Sequence, residues 1–108
     1  MRCFLFDAAL GRSIESSEPI EMDCSEALSE WDGLSNEPGS FFGIESAHHP
    51  AVQFMWENAD RVTIDVPVPD MGGSWTKQSD YDECCKVIKS ICEGESPMSI
   101  PELRFVSW

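Results

Sequence analysis

The stretch AVQFMWENADRVTIDVPV, residues 51–68, decides the fold. On each side of the short link NAD, apolar and polar residues alternate, which is the pattern of a strand with one buried and one solvated face. The apolar set comprises Val52, Phe54, Trp56, Val62, Ile64, Val66 and Val68. The stretch therefore predicts two antiparallel strands, 51–57 and 61–68, joined as a hairpin. Pro67 and Pro69 predict that the second strand lies near an edge of the sheet or ends there.

The segments before and after this hairpin extend the predicted sheet. SFFGIES, residues 40–46, repeats the alternation, and the link SAHHP is short enough for another hairpin. RCFLF at 2–6 predicts an interior strand, and SIPELRFVSW at 99–108 predicts a final strand or an extended segment against the core. PDMGGSWTKQ at 69–78 predicts a loop, because it contains a Gly-Gly pair among polar residues.

Two helices complete the predicted fold. Asp23 is the expected N-cap of the first, Glu26 completes a capping box three residues later, and Gly33 ends the helix. The second begins with Ser79 as its cap and ends at Gly94. The class is α+β: an antiparallel sheet of about four to five strands carries one main helix on one face and a second short helix. The 108 residues suffice for a single domain.

Charge is the property that departs most from an average protein. The chain has 20 acidic and 7 basic residues and a formal net charge of −13. Residues 1–60 hold twelve of the acids and two of the bases, and no Lys or Arg lies between Arg12 and Arg61. Such a chain repels nucleic acid and anionic membranes, and its field accelerates encounter with a basic partner. Acidity that serves solubility alone is the alternative.

The cysteines give no sign of a disulfide framework or a zinc site. Their number, five, is odd, and no CxxC pair occurs. Asp7 interrupts the apolar opening before it reaches the length of an export signal or a membrane span. We therefore expect a cytoplasmic protein with reduced thiols, no metal and no cofactor. Cys84, Cys85 and Cys92 are expected to be small core residues of the second helix.

No catalytic motif is present. The chain lacks GxSxG, HExxH, a P-loop and a dinucleotide-binding glycine pattern. His48 and His49, the only histidines, fall in a predicted turn without converging partners. Carboxylate pairs are so numerous that none marks a general acid. We expect that the protein is not an enzyme.

The four tryptophans divide into core and interface candidates. The spacing of Trp31, Trp56 and Trp108 places them in the predicted core. Trp75 falls in the polar segment 69–78, outside any apolar stripe. It is either an exposed interface anchor or a lid folded onto the core.

Several short elements are similar to those of a known family. The sequence WDGL at 31–34, then FFGIE, VQFMW and VTIDVPV, then EGESP after the second helix, and finally Trp108 follow one another in an acidic chain. This layout resembles the small immunity proteins of bacterial polymorphic toxin systems, in particular a subgroup often encoded beside deaminase toxins. The resemblance implies a protein that binds a cognate toxin domain with a basic active-site cleft and inhibits it by steric occlusion.

Charge and resemblance together assign the expected contact residues. A negative patch is expected from carboxylates of the first helix and its flanks, with two further contacts from segment 69–78: Asp23, Glu26, Glu30, Asp32 and Glu37, then Asp70 and Trp75. Direct binding to nucleic acid or to a membrane is not expected. Two alternatives stay open. The first is a nucleic-acid mimic that inhibits another basic protein, and the second is a small ligand-binding domain whose acidity is incidental.

Overall fold

The hairpin of residues 51–68 lies in the middle of an antiparallel sheet. The computed structural model describes residues 1–108. Its strands are β1 (Arg2–Phe6), β2 (Ser13–Ile14), β3 (Ile20–Glu21), β4 (Phe41–Ser46), β5 (His49–Asn58), β6 (Arg61–Val68), β7 (Gly73–Ser79) and β8 (Arg104–Ser107). Its helices are α1 (Cys24–Gly33) and α2 (Tyr81–Cys92), with short 3-10 turns at Pro69–Met71 and Pro97–Ser99. Neither helix is long and apolar enough to cross a membrane.

The predicted α+β class is confirmed, but the sheet is larger than predicted. It has eight strands in the order β2-β1-β4-β5-β6-β7-β8, and β3 pairs with β1 next to β2. The additional strands are the two-residue β2 and β3, which lie in the acidic segment before α1, and β7. All pairs are antiparallel.

Both helices cover the same face of the sheet. The predicted alternation of β4, β5 and β6 is confirmed, and the apolar side chains of that alternation form the core with residues of α1 and α2. Trp31 of α1, 1% exposed, stacks on Trp56 of β5 at 5.5 Å between ring centroids and on Tyr81 of α2 at 6.0 Å. Trp31 therefore joins the sheet and both helices. The predicted burial of Trp31 and Trp56 is confirmed.

The prediction of a loop at 69–78 is wrong. Most of this segment is β7, which pairs with β6 from Val62 opposite Ser79 to Val68 opposite Gly73. β6 is consequently an interior strand and not an edge. The turn between them needs only four residues, because Gly72 adopts a left-handed φ of +69° and its N–H bonds the Pro69 carbonyl.

Pro67 is compatible with the interior position of β6. The pairing of β5 with β6 ends where Gln53 lies opposite Asp65, so only β7 pairs with β6 at Pro67. A proline is tolerated where one side of a strand carries no ladder of hydrogen bonds. The prolines therefore mark the end of the β5 pairing without preventing the β7 pairing.

The predicted N-cap of α1 is confirmed, and the predicted N-cap of α2 is wrong. Asp23 and Glu26 form the predicted capping box, and α1 ends at Gly33 as predicted. The N-cap of α2 is Asp80 and not Ser79, since the Asp80 carboxylate accepts the Glu83 N–H at 2.8 Å. Ser79 is the last residue of β7.

The expectation that all five thiols are reduced is wrong. Cys24, the first residue of α1, forms a disulfide with Cys92, the last residue of α2, with Cα atoms 5.7 Å apart. These residues are 68 positions apart in sequence, so only the packing of the helices brings them together. Closing a loop of this length stabilises a fold by about 4 kcal/mol in the chain-entropy model.

The remaining thiols behave as core residues. Cys3 and Cys84 are buried and Cys85 is half-buried. Burial raises the pKa of Cys3 to about 11 and the pKa of Cys84 to about 12. Both thiols therefore stay protonated at neutral pH and are poor nucleophiles.

A buried carboxylate joins three chain segments at one end of β1. Asp7 Oδ1 accepts the N–H groups of Ala9 and Leu10 at 3.0 and 3.1 Å, which shapes the turn after β1. Ser35, just beyond α1, donates its hydroxyl to Asp7 Oδ1 at 2.7 Å and its N–H to Oδ2 at 3.1 Å. The Ser35 hydroxyl also lies 3.1 Å from the hydroxyl of Ser40, which precedes β4. These bonds, led by that of the Ser35 hydroxyl, lower the pKa of Asp7.

The disulfide is tested by counting thiols. After air oxidation, alkylation in denaturant without reductant should modify three cysteines, and prior reduction should raise the number to five. Cys92→Ser should lower the free energy of unfolding by about 4 kcal/mol, measured by urea denaturation, whereas Cys85→Ser serves as a matched control. Five reactive thiols in the oxidised protein would refute the assignment.

Asp7 should make stability pH-dependent. Its folded-state pKa lies below its usual value of 3.8, so the stability that it contributes is complete above that value and is lost as the pH falls through the lower, folded-state pKa. Asp7→Asn should lower the urea midpoint at pH 7, and the difference from wild type should shrink toward pH 2. A difference independent of pH would show that the charge of Asp7 contributes nothing.

Candidate acidic interaction surface

Two of the predicted patch residues, Glu26 and Glu30, line a groove beside α1. α1 and the segment 12–22 enclose a cavity of about 430 Å³. Its lining includes Arg12, Ile14, Ile20, Met22, Glu26 and Glu30. We call this cavity the α1 groove. It combines carboxylates with apolar side chains, of which Ile20 is 49% exposed.

Two of the predicted carboxylates have a structural role as well as a charge. The Glu26 N–H bonds Asp23 Oδ1 at 2.8 Å, and the Asp23 N–H bonds Glu26 Oε1 at 3.1 Å. Each carboxylate uses one oxygen for this capping box, and both residues are exposed. Their negative charges lie at the N-terminus of α1, where the helix dipole stabilises them.

Glu30 is neutralised within the chain. Arg12 donates to both of its carboxylate oxygens, at 2.7 and 3.1 Å, and this pairing raises the pKa of Arg12. The pair is well exposed, so it adds little stability. It does reduce the negative potential of the α1 groove at this point. The pairing was not predictable from local patterns, because 18 residues separate Arg12 from Glu30.

A second group of carboxylates lies where α1 ends and α2 begins. The Tyr81 hydroxyl donates to Asp32 Oδ1 at 2.6 Å, which raises the pKa of Tyr81. Asp80 and Asp82 flank Tyr81 and are exposed. The acidic first turn of α2 was visible in the sequence, but its proximity to α1 depends on the helix packing. Asp80 and Asp82 were therefore missed as candidate residues.

Glu37 and Asp70 lie at opposite ends of the sheet. Glu37 is exposed in the loop before β4, and that loop bonds the end of β5 through the Gly39 N–H and the Trp56 carbonyl. Trp56 pairs with Val62 at the start of β6, while Asp70 is exposed in the turn after β6. The structure therefore does not bring all the predicted carboxylates into one patch.

The structure decides the open alternative for Trp75 and shows that the core prediction for Trp108 is wrong. Trp75 is a half-buried residue of β7 that packs against the core and meets Phe105 edge to face at 5.4 Å. Trp108, predicted to be a core residue, is 72% exposed. The opposition of Trp75 to Val66 places it on the helix-covered face, which favours the lid interpretation.

The remaining candidate groups are metal-holding clusters and the two histidines. No three His, Cys, Asp or Glu side chains are grouped to hold a metal ion. His48 lies in the turn between β4 and β5 as predicted, whereas His49 is the first residue of β5 and pairs with Ser46. The described surface consists of carboxylates, serines and a few apolar side chains, and these groups are suited to binding a cationic surface.

Comparisons with family models, with curated proteins and with solved structures find no match for this chain. Its function is therefore inferred from the surface itself.

Proposed function

We propose that this protein is an immunity protein that binds a basic toxin domain and neutralises it by covering its active site. One observation carries the proposal. Eight carboxylates lie between Ser13 and Glu37 without a single Lys or Arg, and only Glu21 and Glu30 of these form an ion pair. The six unpaired carboxylates are Glu15, Glu18, Asp23, Glu26, Asp32 and Glu37.

Folding alone does not account for so much unpaired charge. The capping box explains Asp23 and Glu26, and the hydrogen bond from Tyr81 explains Asp32. Glu15, Glu18 and Glu37 accept no side-chain hydrogen bond and are exposed. A net charge of −13 destabilises a compact chain by self-repulsion. A basic partner would relieve this repulsion on binding.

The charge favours fast association with such a partner. Electrostatic steering raises association rates by roughly 10 to 1,000-fold, and the effect falls with ionic strength. Affinity then requires apolar contacts in a desolvated centre, which Ile14 and Ile20 supply in the α1 groove. Inhibition by occlusion involves no covalent step, in keeping with the high pKa of the buried thiols.

Co-expression tests the function directly. The gene immediately upstream is expressed in a bacterial host with and without this protein, and survivors are counted. We expect the neighbour to be toxic alone and harmless in the presence of this protein. An unrelated acidic protein of similar size is the control. A harmless neighbour, or unchanged killing, would refute the proposal as a cognate immunity protein.

The α1 groove is tested by association kinetics. Glu26→Gln in the groove lining, combined with Glu18→Gln in the neighbouring segment 12–22, removes two charges. The capping box is retained, because Gln also serves at its third position. With the rescued toxin as ligand, the association rate constant should fall roughly threefold to tenfold at low salt, and its salt dependence should weaken.

A matched pair of substitutions shows whether position or total charge matters. Asp60→Asn with Glu95→Gln removes the same charge from exposed residues outside the α1 groove. This variant should associate nearly as fast as wild type. Equal slowing in both variants would assign the effect to net charge and remove the α1 groove from the interface.

A further inference from the structure

The sheet face opposite the helices carries its own row of side chains. In antiparallel strands, residues directly opposite each other point to the same face. Pairing aligns one row across six strands: Phe4, Gly43, Gln53, Asp65, Thr76 and Arg104. The two halves of this row differ in character.

The half nearest β1 is filled by aromatic rings. Phe4 is 4% exposed although no helix covers it, because its ring lies flat over Gly43, where any Cβ would overlap it. Phe41 contacts Phe4 edge to face at 6.3 Å and lies 6.1 Å from Phe6. These rings line an open cavity of about 480 Å³ together with Glu45 and Gln53, so this half of the face is largely aromatic.

The other half contains a carboxylate without a cationic partner. Asp65 is half-buried in the middle of β6, between Gln53 of β5 and Thr76 of β7, and forms no ion pair. Arg104 is exposed on β8, one strand beyond Thr76, and forms no ion pair with Asp65. Burial raises the pKa of Asp65, while the hydroxyl of Ser74 acts in the opposite direction by hydrogen bonding.

An exposed indole is fixed beside this carboxylate. The backbone N–H of Trp108 donates to the Gly72 carbonyl at 2.9 Å. The indole Nε1–H of Trp108 donates to Ser74 Oγ at 3.2 Å. Ser74 is itself buried and points to the same face as Asp65. Ser74 therefore accepts the indole N–H and lies beside Asp65 on the same face. The indole needs little ordering on binding, which favours affinity.

We propose that Asp65, Ser74 and Trp108 form a second docking surface, which seats an arginine side chain of a protein partner. A guanidinium suits both groups, because it donates to a carboxylate and stacks on an indole. Lysine, a point charge, matches this geometry less well. The exposed Val106 and Met71 add apolar contacts at its border. This inference rests on the proposed function, because the partner that supplies the arginine is the basic toxin.

The surface is tested with a defined probe and the full chain. Acetyl-Gly-Arg-Gly-amide is titrated into ¹⁵N-labelled protein and followed by two-dimensional NMR. We expect saturable shifts of the Asp65, Ser74 and Thr76 amides and of the Trp108 indole N–H. The same peptide with citrulline in place of arginine, which has nearly the same shape but no charge, should produce no saturable shift.

Substitutions identify the two binding groups. Asp65→Asn and Trp108→Ala should each weaken binding of the arginine peptide by roughly fivefold or more. Asp60→Asn, which removes the charge of an exposed turn residue, should leave binding unchanged. Dispersed spectra of each variant confirm that it is folded.

Two results would overturn the second docking surface: binding unaffected by both substitutions, or shifts centred on the α1 groove. The outcome is separable from the proposed function. Rescue of the host without peptide binding at Asp65 would keep the immunity proposal and reject this surface. Peptide binding without rescue would keep this surface and reject the immunity proposal.

Discussion

The fold depends on a single constraint, which is that the central strands bury only one face. Apolar side chains at alternate positions of β4, β5 and β6 all point to the same side, and burying each large apolar side chain contributes about 1.5 to 3 kcal/mol. Both helices must therefore lie on that side. Trp31 stacks between Trp56 and Tyr81 and fixes α1 in place. Once Trp31 faces inward, the carboxylates of α1 necessarily face outward.

Covalent and hydrogen-bonded contacts hold the helix pair at both ends. The disulfide between Cys24 and Cys92 joins the start of α1 to the end of α2. The hydrogen bond from Tyr81 to Asp32 joins the opposite ends. Asp7 then connects the loop after α1 to the turn after β1 through Ser35. The acidic surface is thus presented on a rigid support, and a rigid surface loses less entropy when it binds.

The features predictable from sequence were those encoded by neighbouring residues. Alternation predicted β4, β5 and β6, and the spacing of Asp23 and Glu26 predicted the cap of α1. β7 was missed because glycines and prolines usually interrupt strands, although here they only shorten the turn before it.

Features that depend on distant residues were not predictable. The disulfide joins residues 68 positions apart, and the neutralisation of Glu30 by Arg12 requires the path of the chain around α1. The composition gave the total charge of the candidate surface but not its division between paired and unpaired carboxylates. The core prediction for Trp108 was wrong, and the alternatives for Trp75 stayed open, for the same reason: register with β6 packs Trp75 against the core, while Trp108 lies beyond β8.

Asp65 illustrates what local patterns do indicate. Aspartate is disfavoured in strands, and a half-buried carboxylate without a cation destabilises the fold. A threonine at this position would suit the sheet better, so Asp65 contradicts the local preference of β6. An exposed Trp108 likewise contradicts the preference of large aromatic side chains for burial. Such conflicts are expected at functional positions, and here both residues lie beside Ser74 on the face that no helix covers.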